Sequence, residues 1–331
     1  MNRIVCLALM LLLALVVFPS RGWPAAESGE ALVLVLENDI FHNTDRHYTN
    51  GLQLSWISGG ATAAPAWAVE ISRLVPWFPA GSEIHHGYAF GQSIFTASDI
   101  TIEQPAPDER PYAGWLYGSV GLGVESGRRL DLLALAVGMV GPASLAEQTQ
   151  KFVHQLIGSP EPRGWDTQLG NEPGLIASYQ RSWRGLATST LAGRQLDFTP
   201  HLGAVLGNVY TYSRAGLTLR YGPRLPDDYG PPRIQPGLPG AGDFSPVADF
   251  SWYFFAALEG RVVARNIFLD GNTFKNSRSV SKKPLVGDLQ FGVVIDWQKW
   301  RLNYAHVMRS KEFRGQDEHD NFGVVNISFK F

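Results

Sequence analysis

The chain of 331 residues carries 30 acidic and 28 basic side chains, a formal net charge of −2, so it offers nucleic acid no basic footprint. Only 18% of it is charged, below the roughly 25% of an average soluble protein. With 45% apolar residues, 12% aromatic residues and 35 glycines, it is neither a disordered chain nor a bundle of membrane helices. Many short strands with an aromatic-rich surface fit that balance.

In chain order, the first element is Arg3 followed by an apolar run from Ile4 to Phe18, with small residues near Pro24-Ala25-Ala26. This is the pattern of an export signal. Residues 1–26 are expected to form the leader and residues 27–331 a single domain. Cys6, the one cysteine, falls in the leader. The exported part is therefore expected to have neither a disulfide nor thiol chemistry.

Strand-like segments of about ten residues follow. Twelve are predicted: 30–39, 47–58, 84–95, 112–125, 129–140, 173–184, 195–207, 213–222, 251–264, 286–297, 299–310 and 320–331. Several alternate in the two-residue period of a sheet with one apolar face. Leu133, Leu135, Val137 and Met139 share a face, with small Ala134, Ala136 and Gly138 opposite. A soluble exported sandwich alternates in the same way. Export, an even strand number and aromatic clusters at strand ends (Trp252-Tyr253-Phe254-Phe255, Trp297 and Trp300) favour a membrane barrel. So does the last segment, where Val325, Ile327, Phe329 and Phe331 alternate with Asn326, Ser328 and Lys330. It resembles the signal by which bacterial outer-membrane barrels engage their assembly machinery. The expected fold is all-β, a transmembrane antiparallel barrel of about twelve strands, with a short helix in an extracellular loop.

With both termini in the periplasm, the loops at 40–46, 96–111, 141–172, 208–212, 265–285 and 311–319 face outward. Two connections, 59–83 and 223–250, are long for the periplasmic side. The first contains Ala66 to Val75, an amphipathic helix suited to the inner interface. The second is rich in Pro and Gly and is expected to lack regular structure.

Two segments are candidates for chemistry. Glu37-Asn38-Asp39 closes the first strand and Thr44-Asp45-Arg46-His47-Tyr48-Thr49-Asn50-Gly51 opens the second. Hairpin turns favour the same residue types, but carboxylate, amide and hydroxyl oxygens gathered on neighbouring strands also suit calcium. In the 141–172 loop, Ser144 to Ile157 predicts a helix, with Ser144 and Glu147 at capping-box spacing. Leu145, Phe152 and Leu156 make an apolar face, and His154 is a lone helix histidine, either structural or catalytic. In the loop at 265–285, Arg265, Lys275, Arg278, Lys282 and Lys283 stand against Asp270 alone. They form a solvated face or a set of partners for lipid phosphates. There is no Gly-x-Ser-x-Gly elbow, no His-Glu-x-x-His and no phosphate loop.

At Glu37-Asn38-Asp39, Thr44-Asp45-Arg46, Tyr48-Thr49-Asn50-Gly51, Pro111-Tyr112-Ala113-Gly114-Trp115, Gly141-Pro142, Gln150, His154, Gly158, Gly164-Trp165-Asp166, Gln168-Leu169 and Asn171-Glu172-Pro173 the sequence resembles the outer-membrane lipid A 3′-O-deacylases. The resemblance implies a twelve-stranded barrel that uses Ca2+ and hydrolyses the 3′-linked acyloxyacyl group of lipid A, in lipopolysaccharide of the outer leaflet. It implies that Asn38 and Asp39 are active-site positions, with Asp39 a calcium ligand. Thr49 then supplies a hydroxyl and His154 is the general base that activates water. A second carboxylate is expected beside Asp39, with Glu161 and Glu172 as candidates. Basic residues that some members carry after strand three have no counterpart, since 99–109 holds Asp99, Glu103, Asp108 and Glu109. An outer-membrane phospholipase and a non-enzymatic porin are the rival readings.

Overall fold

The computed structural model describes residues 29–42, 46–59, 64–79, 84–231, 233–234 and 250–331. The expected leader, the motif residues Thr44 and Asp45, and all of 235–249 therefore lie outside the described residues. Among those described, no helix is long and apolar enough to cross a membrane.

The strands are β1 (Ala31–Asn38), β2 (His47–Ile57), β3 (Ile84–Thr96), β4 (Ala113–Ser126), β5 (Arg129–Val140), β6 (Glu172–Trp183), β7 (Ala187–Leu191), β8 (Arg194–Gly207), β9 (Tyr210–Gly222), β10 (Phe250–Asn266), β11 (Leu285–Trp297), β12 (Trp300–Arg309) and β13 (Asp320–Lys330). Sequence neighbours pair antiparallel, β13 pairs with β1, and β6 pairs with β8, so the sheet closes on itself. β7 runs along the same partner as β6 after a break at Arg184-Gly185-Leu186, where Gly185 has φ +50°. The barrel thus has the twelve expected strands, the sixth of them interrupted and longer than its alternation showed. Closure leaves no free edge between β6 and β8, as a bilayer demands, and it excludes the sandwich.

The two faces differ as the alternation requires. Leu52, Leu54, Phe90, Val137, Leu258, Phe291 and Leu302 are exposed on the outer wall and form the lipid belt. The inner wall carries charge, and much of that charge is paired. Asp288 takes Arg309 at 3.0 Å, Arg261 at 2.7 Å and Arg233 at 3.1 Å. Glu259 takes His201 at 3.1 Å, and Arg301 holds Asp296 at 2.6 Å. Charges removed from water need such partners. Among the described residues these ion pairs reach across the lumen between strands of the wall. A cavity of about 50 Å³ lies between Glu37, Tyr48, Tyr117, Tyr212 and Arg309.

α1 (Ala66–Arg73) is the helix that the amphipathic pattern of the β2–β3 connection predicts. Ala68 and the following Phe78 pack on Leu122 and Val124, on the lipid side of β4, while Trp67, Leu74 and Trp77 stay exposed. The described part of the β9–β10 connection has no helix or strand, as expected. It nevertheless enters the lumen, which its Pro and Gly content did not show.

Candidate active site

Between β5 and β6 the chain forms a tight turn at Pro142–Ser144 and then α2 (Ala146–Ile157). The expected capping box does not form. Leu145 takes the N-cap position at φ 58°, and the Ser144 hydroxyl donates to the Gly141 carbonyl at 2.6 Å. The cause is the close seat of this turn on the barrel wall. A Cβ at Gly114 would stand 2.1 Å from both Ala146 Cβ and Ser144 Oγ. Gln92 Nε2 donates to the Ser144 carbonyl at 2.7 Å. Gln92, Ile94 and Gly114 alternate with Ser93, Phe95 and Trp115, which line the internal cavity. α2 therefore rests on the outside of the wall, at the outer ends of β3 and β4. Gly114→Val is expected to unseat it: limited proteolysis should then cut the 141–172 loop in a barrel that still shifts on heating. A variant loop as resistant as the parent's would contradict this packing.

The helix also faces opposite to a core helix. Leu145, Phe152 and Leu156 do share a face, but that face is exposed, and Ala146, Gln150, His154 and Ile157 are buried against the wall. A helix on a lipid-facing wall has apolar surroundings on its far side, so its apolar residues belong there. His154 Nδ1 lies 2.6 Å from the Pro160 carbonyl. A carbonyl only accepts, so Nδ1 carries the proton and the neutral ring keeps its lone pair on Nε2. Gln150 lies one turn earlier on the same face. Its Oε1 accepts from Trp165 Nε1 at 2.9 Å, and its Nε2 is buried without a hydrogen-bond partner among the described residues. The i, i+4 spacing to His154 is the sequence signal that marks Gln150. Trp165 is held in turn by Tyr112, with ring centroids 5.2 Å apart.

The other predicted residues come from the β1–β2 turn. Asn38 Oδ1 accepts from the Ile40 amide at 2.7 Å, and Asp39 Oδ2 accepts from the Arg46 amide at 2.6 Å. Both side chains thus hold the turn, as the hairpin reading expects. Asn38 follows the lumen-facing Glu37 and so faces outward, opposite Asn50. The β2–β3 register slips between Tyr48 and Asn50. Thr49 is the extra residue of this bulge, and its Oγ1 lies 2.8 Å from Thr96 Oγ1 on the outer wall. The structure thus gathers Asn38, Asp39 and Thr49 at one rim. α2 carries His154 to the same outward side of the wall, over β3 and β4.

The rim offers hard oxygen donors of the kind calcium takes, with Asp39 buried at 3% exposure. Among the described residues, which do not include Asp45, no group of three or more His, Cys, Asp or Glu side chains surrounds a common point. Glu172 is engaged elsewhere: it accepts from Asn208 at 3.0 Å, Asn272 at 3.1 Å and the Thr273 amide at 2.8 Å, and so ties three loops together. Glu161 is exposed.

The basic loop is likewise structural. Arg278 donates to the carbonyls of Pro105 and Ala106, both at 2.6 Å, Lys275 to that of Asn171 at 2.9 Å and Arg265 to that of Gly271 at 2.7 Å. Lys282 pairs with Asp270 at 2.8 Å. Four of the five cations thus bond to groups of the protein's own loops. Arg110 and Glu312, 3.0 Å apart, add a buried clamp. Burial pushes the Glu312 carboxyl up, but Arg110 and Arg309 outweigh it and hold the group below its ordinary value.

The family model described as Outer membrane protein LpxR matches residues 6–331. Among solved structures, LpxR from Salmonella typhimurium is similar with a TM-score of 0.72 at 18% identity, covering 91% of this chain and 100% of that one. The β domain of the Bordetella autotransporter BrkA reaches a TM-score of 0.43 at 10% identity, over 92% and 99%. No curated protein matches the chain. The Salmonella likeness supports the barrel fold, and the family model covers nearly the whole sequence. The chain belongs to the LpxR outer membrane protein family.

Proposed function

We propose that this protein hydrolyses the 3′-linked acyloxyacyl ester of lipid A in the outer leaflet, with His154 as general base and calcium held at Asp39. The observation that carries the reading is the placement of His154. It is buried between α2 and the outward side of the wall, with its tautomer set by Pro160. A porin would keep its working groups in the lumen, whereas these face the side from which a membrane lipid approaches.

His154 Nε2 takes a proton from water as the water oxygen attacks the ester carbonyl. The tetrahedral intermediate collapses with loss of the sugar alkoxide, which takes the proton back from His154. The products are the free acyloxyacyl acid, still carrying its secondary acyl chain, and lipid A with a bare 3′-hydroxyl. The Gln150 amide, oriented by Trp165, and the Asn38 amide supply hydrogen bonds where negative charge develops. Thr49 orients water beside Asp39. Calcium, when bound, supplies a Lewis acid that polarises the carbonyl. The exposed Leu145, Phe152 and Leu156 give the acyl chains an apolar flank.

Purified protein in detergent is expected to lose turnover on lipid A when calcium is chelated and to regain it when calcium returns. Asp39→Asn should move the calcium requirement to higher concentration. Full turnover in chelator would remove calcium from this account. Acyl release from glycerophospholipid but not from lipid A would replace lipid A by the phospholipase reading.

A further inference from the structure

The connection after β9 does not stay at the periplasmic end. Asp228 is fully buried, with Arg301 at 2.8 Å, the Tyr253 hydroxyl at 3.1 Å and Arg220 also upon it. These partners lie near the periplasmic ends of β12, β10 and β9. Five residues later the chain is near the opposite end. Arg233 is 3.1 Å from Asp288 and 3.5 Å from Glu37, and the Ile234 amide donates to Glu37 Oε1 at 3.0 Å. Asp288 lies near the outer end of β11, and Glu37 is the penultimate residue of β1. The segment therefore climbs the lumen, fastened at each end by buried ion pairs.

Its upper end sits directly behind the rim. A Cβ at Gly51 would stand 2.8 Å from Ile234 Cδ1 and 2.1 Å from the Tyr48 hydroxyl. Glu37 lies opposite Gly51 in the β1–β2 ladder and immediately precedes Asn38-Asp39. Without Arg233, the Glu37 carboxylate would lose its cation inside the barrel, a costly state that the strand end would move to relieve. Arg233 and Ile234 are separated from any membrane lipid by the wall, so they cannot touch substrate.

We propose that residues 228–231 and 233–234 of the β9–β10 connection form a lumen plug in which Arg233 and Ile234 position the active-site rim by fixing Glu37 behind Asn38, Asp39 and Thr49. For the reaction it serves, this rests on the lipid A reading above. A periplasmic connection then sets the geometry of a site on the opposite side of the membrane.

The test compares the full-length protein with Arg233→Met, Arg233→Lys and Ile234→Ala in detergent with lipid A. Ile234→Ala leaves every lumen ion pair intact and serves where Arg233→Met fails to fold. Arg233→Met is expected to lower kcat about tenfold with KM little changed, because a displaced rim misaligns the reacting groups. Arg233→Lys should recover most of the loss, and Ile234→Ala should lower kcat in the same direction. A nitroxide on Arg46→Cys, in a Cys6→Ser background, should gain mobility in Arg233→Met and Ile234→Ala but not in Arg233→Lys. Parental kcat in both Arg233→Met and Ile234→Ala would overturn the proposal. If the parent is inert on lipid A, the reaction assigned above fails, and the nitroxide decides the plug: unchanged mobility in both variants overturns it, and increased mobility supports it.

Discussion

Replacing His154 with alanine is expected to lower turnover on lipid A by about 10² to 10⁴-fold, the range that a general base contributes, while leaving the barrel folded. The expectation of a clean loss follows from the packing. His154 is bonded to the Pro160 carbonyl within its own loop, and the ion pairs of the lumen lie on the other side of the wall. Ala146 and Ile157 keep the buried face of α2 seated when the ring is removed. Steady-state kinetics on purified protein check the magnitude, and the shift in gel mobility on heating checks the fold. Near-parental turnover would remove His154 from the reaction.

Replacing Asp288 with leucine is expected to destabilise the barrel by about 3–5 kcal/mol, the cost of breaking a buried ion pair by deleting one partner. The geometry argues for the upper part of that range. Arg233, Arg261 and Arg309 all lie on this one carboxylate, which is fully buried. Removing it takes from three buried cations the one carboxylate they share. Asp288→Asn should fall between, because it keeps acceptor capacity but not the charge. The denaturant midpoint for loss of the compact gel band measures the effect. A change under about 1 kcal/mol, the worth of a surface pair, would mean that the lumen is hydrated enough to screen these charges.

The strands were legible because a membrane barrel writes its two faces directly into the sequence. Leu133, Leu135 and Val137 against Ala134 and Ala136 need no tertiary knowledge to interpret. The helix in the 141–172 loop was legible as an element but not in its orientation. An apolar face reads the same whether it meets a core or a bilayer, and only the small residue Gly114 on the outer wall decides which. The capping box failed for the same reason, since Ser144 is buried against Gly114 and takes the nearer Gly141 carbonyl. At the site, Asn38, Asp39, Thr49 and His154 were named through the family resemblance, and alternation alone would have left them as turn and helix residues. The Thr49 bulge was not legible, because a one-residue slip leaves no mark in the pattern. Nor was the lumen path of Asp228 and Arg233. Their partners Arg220, Arg301, Glu37 and Asp288 are scattered over four strands, so only the closed barrel brings them together.

The most direct test of the account is mass spectrometry of lipid A from cells that carry lipid A with a 3′-acyloxyacyl group and express either this chain or His154→Ala. The account predicts loss of the mass of that group with the unaltered chain, and an unchanged spectrum with the variant. The same loss from both, or an unchanged spectrum from an inserted barrel that is also silent on lipid A in detergent with calcium, would contradict it.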